Sequence, residues 1–128
     1  MKNAKKLVLT LVGMLAILGL VIVSSNIVSA ANWPIGRINN LQASRIVTQA
    51  IISFDTKNVG LQGIVWSKVY KQVGSSWVQI YSYQAYLNSG SSYHSHATAY
   101  GLTPQVLYTF KVQVGHGSTI DDTKYIQK

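Results

Sequence analysis

A chain of 128 residues, 48% hydrophobic and 11% charged, is too short for a multi-domain enzyme. With no Cys it is neither a disulfide miniprotein nor a Cys-ligated zinc finger, and its apolar content sets it apart from charge-rich disordered segments. Eleven Lys plus Arg stand against three Asp and no Glu, so the formal charge is +8 and the natural partners are anionic.

The chain opens with Lys2, Lys5 and Lys6. An apolar run from Leu7 to Val23 follows, then the polar Ser24-Ser25-Asn26 and the small residues Val28-Ser29-Ala30. This is the three-part order of a secretory signal peptide over residues 1–30, with an N-terminal hydrophobic signal helix and a cut after Ala30. The alternative is a retained anchor, because the run sits at the lower limit of about 17 to 25 residues needed to cross a bilayer. Cleavage would remove three lysines and leave Ala31 to Lys128 with about +5 of the original +8. With no Cys for a lipid anchor and no sorting motif, the expected product is secreted and extracellular, free or held to the wall by non-covalent contacts. Its stability must come from its core alone, since no disulfide restricts the unfolded chain.

Every Trp, Tyr and Phe lies after the leader, among short alternating runs of Val, Ile and Thr divided by Gly, Ser and Asn. The reading is all-β, a single antiparallel β-sandwich of about six or seven strands over residues 31–128. Ala31 to Asn40 reads as an irregular lead-in with room for a short edge strand, where Trp33-Pro34 removes a backbone donor. Arg45 to Phe54 reads as the first strong strand, with Ile46, Thr48, Ala50, Ile52 and Phe54 on one face and Asp55 to Gly60 as its turn. Leu61 to Val73 and Trp77 to Leu87 form the clearest hairpin, joined at Gly74-Ser75-Ser76. Strands are expected from about Ser92 to Tyr100, Val106 to Val114 and Thr123 to Gln127, with Gly115-His116-Gly117 before the last.

The stretch Gly101-Leu102-Thr103-Pro104-Gln105-Val106-Leu107-Tyr108-Thr109-Phe110-Lys111-Val112 resembles the late-strand signature of fibronectin type III and related immunoglobulin-like domains. The resemblance implies that Leu102 enters the core, Pro104 shapes the turn and Tyr108 caps the corner with its hydroxyl on nearby backbone. Chains of this build also resemble small uncharacterised secreted proteins of Gram-positive bacteria. Such a fold carries no function by itself.

The inventory argues against an enzyme. A carboxylate pair could come only from Asp55, Asp121 and Asp122, and the last two, as strand neighbours, are expected on opposite faces. There is no Gly-x-Ser-x-Gly elbow, no phosphate-cradling glycine loop and no cysteine nucleophile. No cofactor is implied. His94 and His96 share a strand face and are weak metal candidates; a third ligand from His116, Asp121 or Asp122 would have to come from elsewhere, so no metal is assigned. Singly placed lysines do not form the basic stripe that nucleic acid requires.

The hairpin is more informative. An even loop centred on Gly74-Ser75 would set Val65, Ser67, Val69 and Val73 with Val78, Ile80 and Ser82 on one face. Trp66, Lys68, Tyr70 and Gln72 would share the other with Trp77, Gln79, Tyr81 and Tyr83. Trp66, Lys68, Tyr70, Trp77, Tyr81 and Tyr83 then make an aromatic and basic surface suited to sugar rings or anionic polymers, or to membrane contact. The same rings could instead serve sheet packing or self-association. The expectation is a secreted, non-catalytic binding module for a cell-envelope glycan or anionic polymer. Its alternatives are a cationic, bacteriocin-like antibacterial polypeptide and a self-assembling extracellular matrix subunit.

Overall fold

The computed structural model describes residues 32–128; the leader expected over 1–30 lies outside the described residues. Seven strands follow in order: β1 Gly36–Ile46, β2 Gln49–Asn58, β3 Gly63–Val73, β4 Ser76–Leu87, β5 Ser92–Ala99, β6 Thr109–His116 and β7 Thr119–Gln127. They form a three-stranded sheet, β1-β2-β5, and a four-stranded sheet, β4-β3-β6-β7. All neighbours are antiparallel.

Period-2 alternation builds the core. Ile38, Ala50, Ile52, Phe54, Ala97 and Ala99 point inward from the smaller sheet and meet Val65, Val69, Phe110, Val112 and Val114 from the larger one. Phe54 and Phe110 are its largest members, each wholly buried. Burial of a side chain of this size contributes about 1.5–3 kcal/mol. Both sheets and this core lie within residues 32–128, so the span holds the contacts that fold it.

The first strands differ from the sequence expectation. The edge strand allowed for in the lead-in begins at Gly36 and runs on as β1 to Ile46, and the stretch Arg45 to Phe54 is split by a two-residue turn at Val47-Thr48. Neither residue is a turn former, which is why the turn is silent in the sequence. Val47 takes a φ of +46°, the left-handed region that β-branched side chains avoid.

The corner between β5 and β6 is built from the positions that the resemblance marks. Leu102 is buried in the core. Pro104 and Gln105 are the central pair of a turn in which the Val106 amide donates to the Thr103 carbonyl at 3.3 Å. Gln105 has a φ of +64°, as a type II turn demands of its second central residue. The Tyr108 hydroxyl accepts the Thr103 amide at 2.9 Å.

Asp121 and Asp122 do not diverge as strand neighbours should. The β6–β7 register shifts between Val114 and Gly115, leaving Asp121 as an extra residue on β7. Both carboxylates therefore reach the free edge of β1: Asp121 Oδ2 accepts the Gly36 amide at 2.9 Å and Asp122 Oδ2 the Ile38 amide at 2.9 Å.

Candidate functional site on the outer face of the four-stranded sheet

The β3–β4 hairpin begins in the expected register: Val73 pairs with Ser76, Gln72 with Trp77, Lys71 with Val78 and Tyr70 with Gln79. Beyond that point Val69 pairs with Tyr81, so Ile80 is an extra residue on β4. This bulge exchanges the two faces for the rest of the strand.

The six-residue surface expected from the sequence is thereby divided. Trp66, Lys68, Tyr70 and Trp77 stand on the outer face. Tyr81 and Tyr83 turn toward the smaller sheet, and Ser82, expected inside, is exposed. Tyr81 packs edge-on against Phe54 with ring centroids 6.4 Å apart and donates to Ser95 Oγ at 2.9 Å. Tyr83 meets Tyr93 of β5 edge-on at 5.1 Å. In turn, Tyr93 donates from β5 to Ser67 Oγ of β3 at 3.0 Å, and burial pushes its phenol above the ordinary 10.0.

Two residues that the hairpin could not reveal complete the outer face. Tyr70 pairs with Lys111 of β6, and Lys111 pairs with Tyr125 of β7. The Lys111 ammonium lies 4.9 Å from the Tyr70 ring centroid and 4.7 Å from that of Trp77. Trp77 and Tyr125 are 5.9 Å apart, tilted by 47°. One cation is thus held by two π faces, with a third ring, largely exposed, beside them. Alternation along β6 already turns Lys111 outward, but its pairing with β3 is set only by the fold.

Trp66 occupies the other half of this face and is partly committed to structure. Its indole N–H donates to the Gly117 carbonyl at 2.9 Å, and its ring covers Gly115, where an added Cβ would stand 2.6 Å from Cζ2. Lys68 sits over the same ring at 4.9 Å.

His94 and His96 share the outer face of β5, with ring centroids 4.5 Å apart. His94 Nδ1 contacts Asp55 Oδ1 at 2.5 Å, and Asn40 donates to Asp55 Oδ2 at 2.7 Å. These partners hold the Asp55 carboxyl below its ordinary value, the Asn40 amide contributing most. His116 pairs instead with Asp121 at 2.8 Å, so the third ligand weighed for His94 and His96 is engaged elsewhere. Among the described residues, no set of three His, Cys, Asp or Glu side chains is gathered as a metal site.

No family model and no curated protein sequence matches the chain. By structure it is similar to a CARDB domain from Pyrococcus furiosus solved in complex with di-metal ions, with a TM-score of 0.59 and 13% identity over 80% of this chain and 91% of that one. It is also similar to part of β-glucosidase 3B from Thermotoga neapolitana (TM-score 0.51, 15% identity) and of a β-glucosidase from Kluyveromyces marxianus (TM-score 0.52, 16% identity). Each of these two matches takes in 74% of this chain, which spans only 16% and 14% of the enzymes' lengths. These likenesses establish an immunoglobulin-like β-sandwich, and the fold alone.

Proposed function

We propose that Ala31 to Lys128 is an exported, non-catalytic module that binds a cell-envelope glycan or anionic polymer along the outer face of the β4-β3-β6-β7 sheet. The observation that carries this reading is Lys111 held between Tyr70 and Trp77 with Tyr125 alongside. Flat amphipathic rings accept sugar faces at low ordering cost, and a lysine already ordered between rings offers a charge to an acidic group. Trp66 and Lys68 extend the same face by one further ring and one further cation. Tyr81 and Tyr83 leave the site, since both turn to the opposite face, Tyr81 packing against the core and the half-exposed Tyr83 meeting Tyr93.

Two observations support the accompanying parts of the reading. The sheet orders β1-β2-β5 and β4-β3-β6-β7, with the Leu102, Pro104 and Tyr108 corner, fit a fibronectin type III-like arrangement. Asp121 and Asp122 direct their carboxylates to β1 amides, which fits a module that binds without catalysis, while Asp55 is bonded at the surface to Asn40 and His94.

The test is an array of envelope glycans and anionic polymers probed with Ala31 to Lys128. Binding is expected to weaken at least roughly tenfold in Trp77→Ala and Lys111→Ala, the scale of losing a central aromatic or charged contact. If no array member binds, or if both variants bind as the parent does with an unchanged fold, the reading is wrong.

A further inference from the structure

We infer that the end of the sandwich carrying the β1–β2 turn and the β5–β6 connection is a second contact surface, one that seats on a bilayer containing anionic lipid. It uses different residues from the sheet face and does not depend on it.

The apolar side chains come from two separate segments. Ile46 and Val47 are each 64% exposed, Tyr100 and Leu107 each 68%, and Val106 44%. Hydrogen bonds lock the segments together: the Leu102 amide donates to the Thr48 carbonyl at 2.9 Å. Arg45 donates to the carbonyls of Val47, Val106 and Thr103 at 3.0, 2.7 and 2.6 Å. Five apolar side chains are thus presented on a braced end rather than on loose loops. An exposed apolar cluster of this kind, rimmed by polar residues, marks a contact site.

Charge selects the occupant. Arg45 and Lys71 flank the apolar end, both over the Tyr108 ring at 5.4 and 5.6 Å. The aspartates lie toward the other end: Asp121 and Asp122 at the Gly36 end of β1, and Asp55 opposite Asn39. Apolar tips flanked by Arg45 and Lys71, with Lys128 against Arg45 at 3.2 Å and no aspartate beside them, match an anionic membrane surface, where the tips enter the acyl boundary and the cations meet head groups.

Val47 adds an independent observation. A Gly would occupy its positive-φ position without strain, yet a β-branched side chain stands there and projects into solvent. Strain retained at an exposed tip points to a use for the side chain itself.

The test is flotation of Ala31 to Lys128 with phosphatidylcholine vesicles, with and without phosphatidylglycerol. Flotation is expected with the mixed vesicles, reduced by salt and by omission of the anionic lipid. The pair Val47→Ser and Leu107→Ser is expected to weaken it by roughly tenfold or more, because two apolar anchors are lost. Should that pair fail to fold, Leu107→Trp decides: the emission it adds over that of the parent's three Trp should shift to the blue on mixed vesicles. The inference is overturned if the parent stays in solution, if a folded serine pair floats as the parent does, or if that added emission is unmoved. It is also overturned if these substitutions only abolish self-association seen by light scattering, or if Trp77→Ala alone removes flotation, which would move the contact to the sheet face.

Discussion

Tyr81 and Ser95 join the two sheets of the sandwich through a 2.9 Å hydrogen bond from phenol to hydroxyl. Tyr93 returns the connection, reaching from the smaller sheet to Ser67 and to the Val65 carbonyl of the larger. The crossing depends on the bulge at Ile80: were Ile80 paired with Val69 in the register that the turn sets, Tyr81 would face outward.

Tyr81→Phe leaves the ring against Phe54 but strips Ser95 of its partner, and Ser95 is buried. The expected loss is about 1–2 kcal/mol, read as a lower urea midpoint with an unchanged slope. Deleting Ile80 would close the bulge with Val69 still opposite Tyr81, so Tyr81, Tyr83 and Ala85 keep their face. That variant is expected to unfold cooperatively, with a loss of about 1.5–3 kcal/mol from the missing Ile80 side chain, which packs against the core.

Removing the carboxylates that reach β1 should also be costly. Asp121→Ala leaves the Gly36 amide and His116 without their acceptor in a site where the Asp121 side chain is only 7% exposed. A loss of about 2–4 kcal/mol is expected, and Asp122→Ala, which frees only the Ile38 amide, should lose less. Amide hydrogen exchange at Gly36 and Ile38 should rise in the matching variant.

Val47→Gly should stabilise the domain. Relief of a strained left-handed residue gains roughly 1–3 kcal/mol, against about 0.5–1 kcal/mol for the added freedom of glycine in the unfolded chain. The net expectation is about +1 kcal/mol, several degrees in Tm for a domain of this size. The same variant should bind mixed vesicles less well, separating stability from membrane contact.

Stability should carry a signature of Asp55 in acid. Its folded-state value is depressed, so its contribution is complete at pH values well above the ordinary 3.8 and fades as the pH falls through that value and then through the lower folded one. The difference in urea midpoint between the parent and Asp55→Asn, followed from about pH 5 to about pH 2, should therefore shrink toward zero. A constant difference would show that the carboxylate's charge contributes nothing.

The all-β class and the late corner are legible in the sequence because their signals are local: alternation along β6, and the spacing of Leu102, Pro104 and Tyr108. The hairpin is legible only as far as its turn governs it. Gly74, with φ of +62°, places Trp77 against Gln72, but Ile80-Tyr81-Ser82-Tyr83 alternates equally well in either register. Only the core needs of the opposing sheet decide between them, through Phe54 and Ser95. The turn at Val47-Thr48 is illegible for a different reason: tertiary contacts hold a conformation that its own residues disfavour. Lys111 and Tyr125 join the site through strand neighbours far away in sequence, a relation that periodicity does not encode.

The two aspartates on β7 have a consequence for how copies of this protein can associate. A guest strand adding to β1 from that side would need the Gly36 and Ile38 amides, and both are already taken by carboxylates of the same molecule. Fibre growth by strand addition is therefore blocked at the start of β1, and any polymerisation of that type must begin at another border of the sheets.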